Sequence, residues 1–328
     1  MKNDEIILQY LKESDGYVSG EDLSRRLGIS RSAVWKNINS LRDSGYVIES
    51  VTNRGYRVIN TSDALTPHEI LSGLATKQFG RQVFCYPEID STNEEAKRQA
   101  LQGAAHGTLF VSDKQTGGKG RLGRVWENPA RTALSFSLLL RPDAPPTQVS
   151  NLTLLIGLAV RRAIQTITGC EAGIKWPNDV VIGTKKVCGI LTEMAAEIDR
   201  VHYAVPGIGV NVNNESFPEE LAVKATSLRI ESGSTVSRVA LLQEIIKEIE
   251  DLYTEYFIHG NEAWVQEYKS ACISLHRTVS TVRNNEKIIG TAVDITSGGE
   301  LVVETADGQR IEINSGEVTV QGIYGQTP

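Results

Sequence analysis

Two helix-initiating serines flank one tight turn near the start of the chain, and this spacing restricts how the N-terminal segment folds. Ser19 precedes a helical pattern that reaches Leu27, and Ser30 precedes a second pattern that reaches about Ser44. A serine in this position accepts a hydrogen bond from an unpaired N–H group of the first helical turn. Gly28 lies between the two patterns, so the segment is predicted to form a helix-turn-helix.

The flanking residues extend this motif on both sides. Apolar residues on one face predict a further helix over residues 4–13. Two strand-like runs, Val47–Ser50 and Tyr56–Ile59, follow the motif, and the tight-turn sequence Asn53-Arg54-Gly55 lies between them. The expected hairpin would be the wing of a winged helix-turn-helix.

The second helix of the motif separates apolar residues from polar and basic ones. A helical wheel places Val34, Ile38 and Leu41 on the core side. Between Arg25 and Arg57 the chain has seven basic and two acidic residues, whereas the net charge of the whole chain is −6. A local cationic surface on an acidic protein is typical of a DNA-binding domain. The predicted DNA contacts are Arg31, Ser32, Trp35, Lys36, Asn39, Arg42 and Arg54.

The rest of the chain is predicted to form two more domains, because 328 residues suffice for two or three. Strand-like runs alternate with helical stretches up to about residue 270, which predicts a mixed α/β domain. Residues 275–328 carry only short alternating strands, including a turn at Asn284-Asn285, and predict a small β-barrel. The expected fold class is α+β multidomain, with domains over 1–62, 63–272 and 273–328. Within the middle domain, Val201–Gly207 and Ile208–Val212 are predicted as separate strands.

A glycine-rich basic loop runs from Gln115 to Trp126. Its glycines allow the backbone to approach a phosphate closely, and Lys119, Arg121 and Arg124 add positive charge. The spacing fits neither a Walker A loop nor a dinucleotide-binding turn. The loop therefore indicates an anion or nucleotide site, with a plain flexible loop as the alternative.

Two other motifs carry polar and charged side chains. Asp90-Ser91-Thr92-Asn93 directly precedes a helical stretch, and taken alone it indicates only a helix cap. Lys175-Trp-Pro-Asn-Asp179 and Lys186 lie at the ends of a predicted hairpin. Asp179 is a candidate Mg²⁺ ligand or proton acceptor, and Lys186 is a candidate partner of a carboxylate or an α-phosphate. Lys185 is interpreted as a solvated turn residue.

Together the three motifs indicate acyl adenylation. In that reaction a carboxylate attacks the α-phosphate of ATP, and negative charge grows on the phosphoryl oxygens as pyrophosphate leaves. Lysine, arginine, Mg²⁺ and backbone N–H groups stabilise such a transition state. The sequence contains no competing Ser-His-Asp set, and its five histidines lack the spacing of metal ligands.

In order along the chain, these motifs resemble those of biotin protein ligases. The resemblance rests on Ser91-Thr92-Asn93, the loop that ends at Trp126, Lys175–Asp179, Lys186-Val-Cys-Gly189 and Gly207-Ile-Gly-Val-Asn-Val-Asn213. With a winged helix in front, the whole chain is similar to the bacterial family that combines biotin ligase and biotin-operon repressor. The resemblance implies a class II synthetase-like central domain and an SH3-like C-terminal barrel.

The resemblance also implies site residues. Lys186, Arg121 and Asp179 are the expected catalytic residues, with Mg²⁺ arriving with ATP and Asp179 as a candidate ligand. Trp126 is expected near the adenine, Asn211 at the nucleotide, and Ala225–Leu228 is similar to a loop that orders over it. The expected biotin- and adenylate-binding residues are Ser91, Thr92, Asn93, Gln115, Gly118, Lys119, Gly120, Arg121, Trp126, Lys186, Gly189 and Asn211.

The implied substrates are biotin and ATP, and the implied acceptor is a lysine of the biotin carboxyl carrier protein of acetyl-CoA carboxylase or a related carboxylase. Biotinyl-5′-AMP would also act as corepressor, causing the protein to dimerise and bind operator DNA. One departure is Lys119, where the family loop commonly has arginine, and a second is Gly117 in place of alanine. The lysine ammonium lacks the paired N–H donors with which an arginine guanidinium binds an anion. We therefore expect weaker retention of the adenylate than in a Lys119→Arg variant.

Two alternatives remain at this stage, and both concern the middle domain. One is a transcription regulator that senses a small ligand without ligase activity, and the other is a lipoate-type ligase. The acidic N-terminus lacks the features of a signal peptide, and the longest apolar run, Leu152–Val160, is too short for a membrane span. Cys85, Cys170, Cys188 and Cys272 are widely separated and are expected to be reduced and mostly buried. A cytoplasmic location without membrane association is expected.

Overall fold

The computed structural model describes residues 3–14, 16–43, 45–60, 63–126, 129–283, 286–314 and 316–327. The predicted helix end at Ser44 and the predicted turn at Asn284-Asn285 lie outside the described residues. The chain forms two compact units, Met1–Gly73 and Leu74–Pro328. The predicted domain boundaries at 62/63 and 272/273 stay predictions.

The first unit contains four helices and a two-stranded hairpin among its described residues. Their bounds are α1 Asn3–Glu13, α2 Gly20–Leu27, α3 Arg31–Asp43, β1 Val47–Val51, β2 Gly55–Asn60 and α4 Pro67–Ser72. The Ser19 hydroxyl accepts from Asp22 N at 3.0 Å, and the Ser30 hydroxyl accepts from Ala33 N at 3.2 Å. Gly28 ends α2 with φ 66°, a conformation that costs glycine least. Both predicted caps and the turn are confirmed.

A compact apolar core holds this unit together. Val34, Ile38 and Leu41 of α3 are buried against Ile7 of α1 and Leu23 of α2. The predicted core face of α3 is therefore confirmed. β1 and β2 pair antiparallel, and Asn53 at the turn has φ 64°, so the predicted wing hairpin is also present.

The second unit is built on a seven-stranded mixed sheet of order β3-β4-β5-β9-β8-β7-β6. Its strands are β3 Val83–Tyr86, β4 Thr108–Ser112, β5 Ala133–Leu139, β6 Ala172–Lys175, β7 Asp179–Ile182, β8 Lys185–Ala196 and β9 Val201–Asn211. Its helices are α5 Thr92–Leu101, α6 Pro146–Val149, α7 Leu152–Thr168, α8 Glu219–Ala222, α9 Leu228–Ser232, α10 Arg238–His259 and α11 Val265–Ala271. β3 and β4 are parallel, and the other pairs are antiparallel. α7 is mostly buried and packs against α10, while α5 packs against β4, β5 and β9.

The prediction of two strands over Val201–Gly207 and Ile208–Val212 is wrong, because β9 is a single strand. Pairing with β8 continues through Thr192 and Pro206, whereas pairing with β5 stops at Ser137–Gly207 and resumes at the Leu140–Ala204 bridge. The missing proline N–H therefore interrupts the ladder on one side only.

The C-terminal part of this unit is a five-stranded antiparallel sheet of order β13-β12-β11-β10-β14. The strands are β10 Thr278–Arg283, β11 Glu286–Ile295, β12 Leu301–Thr305, β13 Arg310–Ile313 and β14 Thr319–Val320. In the part of the chain that the structure describes, no helix combines the length and apolar composition that a membrane crossing requires. All four cysteines are free thiols; Cys188 and Cys272 are buried, and Cys85 and Cys170 are half-buried.

Candidate active site

A cleft opens beside the N-terminus of α5 and brings together residues from all the motifs of the second unit. α5 supplies one wall, the glycine-rich loop covers another, and the β7–β8 hairpin closes one end. The lining residues are Ser91, Thr92, Asn93, Gln115, Lys119, Gly120, Arg121, Trp126, Asn178, Lys186, Gly189, Ile190, Leu191, Gly207, Ile208 and Gly209. Most of the predicted biotin- and adenylate-binding residues therefore meet at one place.

The floor of the cleft consists of small residues aligned across three strands. Gly209 of β9 pairs with Ser135 of β5 on one side and with Gly189 of β8 on the other, and Gly207 pairs with Ser137. Directly paired residues point to the same face of a sheet, so these positions leave a shallow trough free of large side chains. A Cβ atom at Gly207 would lie 2.1 Å from Asn93 Oδ1. The glycine is thus required for the packing of Asn93.

One end of the cleft is lined by neutral polar groups. Thr92 donates to Gln115 Oε1 from its backbone N–H at 2.8 Å and from its hydroxyl at 3.1 Å. Ser137 Oγ lies 2.7 Å from Thr92 Oγ1 and 2.6 Å from Asn93 Oδ1. The Asn93 amide in turn donates to Glu193 Oε2 at 2.8 Å. These groups, of which Thr92, Asn93 and Ser137 are buried, are held by one another and form a preorganised set of donors and acceptors.

The glycine-rich loop places an aromatic ring over the floor. Trp126 N donates to Gly118 O at 2.9 Å, which closes the loop on itself. A Cβ atom at Gly209 would lie 2.4 Å from the Trp126 ring, so the ring rests directly on that glycine. The Lys186 ammonium lies 5.5 Å from the centroid of the ring. This cation–π geometry places the indole and the lysine on the same side of the cleft.

Arg121 ties the loop to the hairpin and to the C-terminal sheet. Its guanidinium donates to Asn178 Oδ1 at 2.8 Å and to Gly316 O at 2.8 Å. Burial lowers the pKa of Arg121 from its ordinary value, yet the group keeps its charge at neutral pH. Arg124 forms an ion pair with Glu317 at 2.6 Å, outside the lining of the cleft.

Lys186 contributes a second cation at the same end. Its Nζ atom lies 2.6 Å from Asp179 Oδ1, and the other carboxylate oxygen accepts from Tyr324 OH at 2.9 Å. Lys175 is buried behind them, donates to Val318 O at 2.8 Å, and has its pKa lowered by burial. The Asp179 carboxylate therefore holds Lys186 in place. This cationic end of the cleft is formed by residues from both parts of the unit, the seven-stranded sheet and the C-terminal sheet with its tail.

Lys119 lies at the opposite rim of the loop. It forms an ion pair with Glu94 at 2.6 Å, and this contact is the main reason that the pKa of Glu94 is lowered. Glu94 also pairs with Lys97, which reaches Glu193. The Lys119 side chain is more than half exposed, so the contribution of the Lys119–Glu94 pair to stability is small.

Three predicted site residues do not line the cleft. Gly118 lies behind it, where a Cβ atom would be 2.3 Å from Trp126 O. The Asn211 amide donates to Thr226 O at 3.0 Å, and Thr226 N donates to Lys186 O at 2.9 Å, so the predicted second loop lies beside the lysine strand. Asp179 lines an adjacent cavity that shares Lys186 and Arg121.

Sequence reasoning missed several residues of this site. Ser137 is a buried hydroxyl within the apolar strand β5, and such an interruption indicates a polar partner above the sheet. Gly207 and Gly209 alternate along β9, which is typical of a close approach from the face above. Tyr324 gave no such signal, because its contact with Asp179 depends entirely on how the C-terminal sheet is packed.

The N-terminal unit exposes most of the residues predicted to bind DNA. Arg31, Ser32 and Lys36 are exposed, and Trp35 is 56% exposed. Arg42 instead donates to Ile48 O at 2.8 Å and to Ser50, so its guanidinium supports the first strand of the wing. Arg31 forms an exposed ion pair with Glu21 at 3.1 Å.

Comparison with known families gives three matches, and they follow the domain order predicted from the sequence. The Biotin/lipoate A/B protein ligase family matches residues 86–211, an HTH domain matches residues 5–57, and the Biotin protein ligase C terminal domain matches residues 277–320. The first match covers strands β4 to β9, which carry the cleft. The predicted fold class is thereby confirmed.

Individual relatives extend the similarity to the whole chain. The Bifunctional ligase/repressor BirA of Bacillus spizizenii is 39% identical over 93% of this chain and 94% of its own length. The protein of the same name from Escherichia coli is 27% identical over 87% of this chain and 88% of its own length. A solved structure, the Biotin protein ligase from Aquifex aeolicus in complex with biotin and ATP, matches with a TM-score of 0.65 and 32% identity over 74% of this chain and 99% of that chain. This protein is therefore a member of the biotin protein ligase family, in the branch of bifunctional ligase/repressors.

Proposed function

We propose that this protein joins biotin to a carrier protein through biotinyl-5′-AMP and that the same adenylate controls its binding to DNA. One observation carries the proposal: a polar end and a cationic end face each other across a trough of glycines in a single cleft. A neutral bicyclic ring with an attached carboxylate has the matching shape and polarity. The relatives named for ligase and repressor activity support the same assignment.

The polar end suits the ureido group of biotin. That group offers two N–H donors and one carbonyl acceptor, and it requires a fixed set of partners when water is excluded. Thr92, Asn93 and Gln115 provide hydroxyl and amide groups in this region, and the buried Ser137 hydroxyl holds Thr92 and Asn93 in place behind them. We assign them the orientation of the ring, which points the valeryl carboxylate toward Lys186.

The cationic end suits the adenylation step. A carboxylate oxygen of biotin attacks the α-phosphorus of ATP, the bond from that phosphorus to the bridging oxygen breaks, and pyrophosphate leaves. Lys186 and Arg121 stabilise the charge on the phosphoryl oxygens, and Trp126 contacts the adenylate from the loop side. These roles rest on the convergence of the three residues on one cleft.

In the transfer step the ε-amine of a carrier lysine attacks the acyl carbon, and the bond to the phosphate oxygen breaks to release AMP. The amine loses a proton in this step. Asp179 is a proposed acceptor for that proton, because it is a carboxylate that lines the pocket directly beside the cleft. The proposed acceptor protein is the biotin carboxyl carrier protein of a carboxylase.

Mg²⁺ is proposed to enter as the complex with ATP. Asp179 is a poor ligand for it in this arrangement, because its two oxygens already face the Lys186 ammonium and the Tyr324 hydroxyl. Among residues 3–327 that the structure describes, no three His, Cys, Asp or Glu side chains form a cluster suited to a metal ion. No step of the proposed mechanism therefore depends on a metal site built by this chain.

The repressor function is proposed for the N-terminal unit. Its exposed α3 residues, with Arg54 of the wing, form a cationic surface of the kind that contacts phosphates and base edges. We propose that the adenylate-bound protein dimerises and grips a two-fold operator, with loop ordering as the link between ligand and dimer. An enzyme that uses ATP and binds DNA is proposed to act in the cytoplasm, in line with its four free thiols.

The ligase assignment is tested by biotin-dependent exchange between ATP and labelled pyrophosphate. We expect exchange with biotin and none with lipoate, followed by an ATP-dependent mass increase of one biotin on a purified carrier domain. Failure of exchange with biotin would refute the ligase assignment and favour a ligand sensor. Exchange with lipoate alone would favour the lipoate-type alternative.

The repressor assignment is tested on operator duplexes selected from random DNA. With biotin and ATP present, sedimentation velocity should report a dimer, and the selected duplex should bind more tightly than without ligand. Lys36→Gln should weaken binding and reduce the slope of log K against log salt by about 1, whereas the exposed-lysine control Lys287→Gln should change neither. Equal salt slopes in the wild-type protein, Lys36→Gln and Lys287→Gln would contradict the proposed contact between Lys36 and the DNA.

A further inference from the structure

Tyr324 belongs to a short tail that returns from the C-terminal sheet to the ligase cleft. It follows β14 and lies beyond residue 320, where the match to the C-terminal family domain ends. Its backbone N–H donates to Thr184 O at 3.1 Å, in the turn directly before the strand that carries Lys186. Its φ of 57° is rare for a bulky side chain, so the surrounding contacts hold the tail in a specific conformation.

The phenol of Tyr324 completes the partners of one carboxylate. Its hydroxyl donates to Asp179 Oδ2 at 2.9 Å, while Asp179 Oδ1 lies 2.6 Å from Lys186 Nζ and 3.3 Å from Asn178 Nδ2. A carboxylate with one unpaired oxygen can rotate about its terminal torsion angle, because the energy of the side chain changes little with that angle. With both oxygens engaged, it has one orientation and presents Oδ1 to the lysine.

The hydroxyl of Tyr324 remains a donor over the working pH range. Burial, and then the nearby Asp179 carboxylate, raises the pKa of Tyr324 well above its usual value. The Lys175 ammonium lies 5.3 Å from the centroid of the ring, a cation–π contact that steadies its position. The tyrosine is therefore held on one side by a buried cation and on the other by the carboxylate.

We propose that Tyr324 is a positioning residue for adenylation, which orients the Asp179 carboxylate and thereby holds the Lys186 ammonium at the mouth of the cleft. The inference rests on the proposed ligase function. It means that the C-terminal sheet supplies part of the reaction centre, through a residue separated from Asp179 by 145 positions.

The test begins with Tyr324→Phe in the full-length protein. This variant keeps the ring and the backbone bond to Thr184 and removes only the hydroxyl. We expect kcat for biotin-dependent pyrophosphate exchange to fall about tenfold, the loss associated with one hydrogen bond to a charged group. KM values for biotin and ATP should change less than about twofold, because the interaction acts in the transition state. The matched control is Tyr86→Phe. It removes a tyrosine hydroxyl that lies 3.3 Å from Glu95 Oε1, and neither Tyr86 nor Glu95 lines the cleft.

A double-mutant cycle with Asp179→Asn separates positioning from general destabilisation. If Tyr324 acts through Asp179, adding Tyr324→Phe to Asp179→Asn should change kcat less than about twofold. Any structural cost of the phenylalanine is common to both backgrounds and cancels in this comparison. The same loss in both backgrounds, or a Tyr324→Phe enzyme with wild-type kcat, would overturn the inference. Absence of exchange in the wild-type protein would instead refute the ligase function itself.

Discussion

Replacement of Lys186 by alanine should remove most adenylate synthesis while the protein stays folded. The Lys186 side chain is 27% exposed, so an effective dielectric constant of about 20 suits its surroundings better than that of a dry interior. Two unit charges about 4 Å apart then attract each other by about 4 kcal/mol. This value is the upper limit of what the ammonium contributes to an adjacent phosphoryl oxygen.

Part of that attraction is already present before the reaction begins, because the α-phosphate is charged in the ground state and Asp179 competes for the ammonium at 2.6 Å. We therefore expect a loss of about 3 kcal/mol of transition-state stabilisation. This corresponds to a fall in kcat/KM of about 10²-fold, within the range for removal of one donor from a preorganised anion site. The Lys186–Asp179 pair is mostly buried, so removal of the lysine should lower the free energy of unfolding by about 3 kcal/mol, or about 6–12 °C in melting temperature, which leaves the protein folded at 25 °C.

The assay is biotin-dependent pyrophosphate exchange, with thermal unfolding of each variant followed by circular dichroism. The matched control is Lys185→Ala, since Lys185 is the neighbouring lysine and lines neither cavity at the reaction centre. We expect the control to retain full activity. Full activity in Lys186→Ala, or an equal loss in Lys185→Ala, would refute the role assigned to the ammonium.

Three further predictions concern the loop, the floor and the acidic end of the pH range. Lys119→Arg should slow release of biotinyl-5′-AMP in a chase experiment, because the guanidinium fork can hold two partners where lysine holds Glu94 alone; an unchanged release rate would contradict this. Gly209→Ala should displace the Trp126 ring, which a Cβ atom would approach to 2.4 Å, and should lower biotin affinity by calorimetry; Gly157→Ala is the control, since its Cβ would meet Ile190 at an ordinary 3.7 Å. Arg98 is the main reason that the pKa of Asp90 is lowered from 3.8 to about 2, so this ion pair stabilises the protein above about pH 4 and its contribution disappears as the pH falls through about 2. Because the pair is about half exposed, Asp90→Asn should lower the free energy of unfolding by less than about 1 kcal/mol at pH 7, and this difference should shrink as the pH falls through about 2; a difference that stays constant over the whole range would argue against the assignment.

Local signals in the sequence predicted most of the first unit. The Ser19 and Ser30 caps, the Gly28 turn and the wing hairpin each depend on residues a few positions apart, and all are present. The burial of Val34 and Ile38 follows from helical periodicity in the same way. The prediction of separate strands over Val201–Gly207 and Ile208–Val212 was wrong, because continuous pairing with β8 carries β9 through this stretch, Pro206 included.

The sequence also predicted the chemistry of the site better than its geometry. Glycine-rich and basic segments indicated an anion site because residue type alone limits what a side chain can bind. The supporting residues were not predictable in this way. Ser137, Glu193 and Tyr324 acquire their roles from neighbours on other elements, and no local pattern records those neighbours.

The sequence by itself determined the helices, turns and motif residues of this protein, since capping, periodicity and turn formation act over short stretches of chain. Only the tertiary structure decided that glycines of two strands form the floor beneath Trp126 and that the C-terminal sheet reaches Arg121 and Asp179. Those contacts join residues as many as 195 positions apart. They are set by strand register and by the packing of one sheet against another, and both are properties of the whole folded unit.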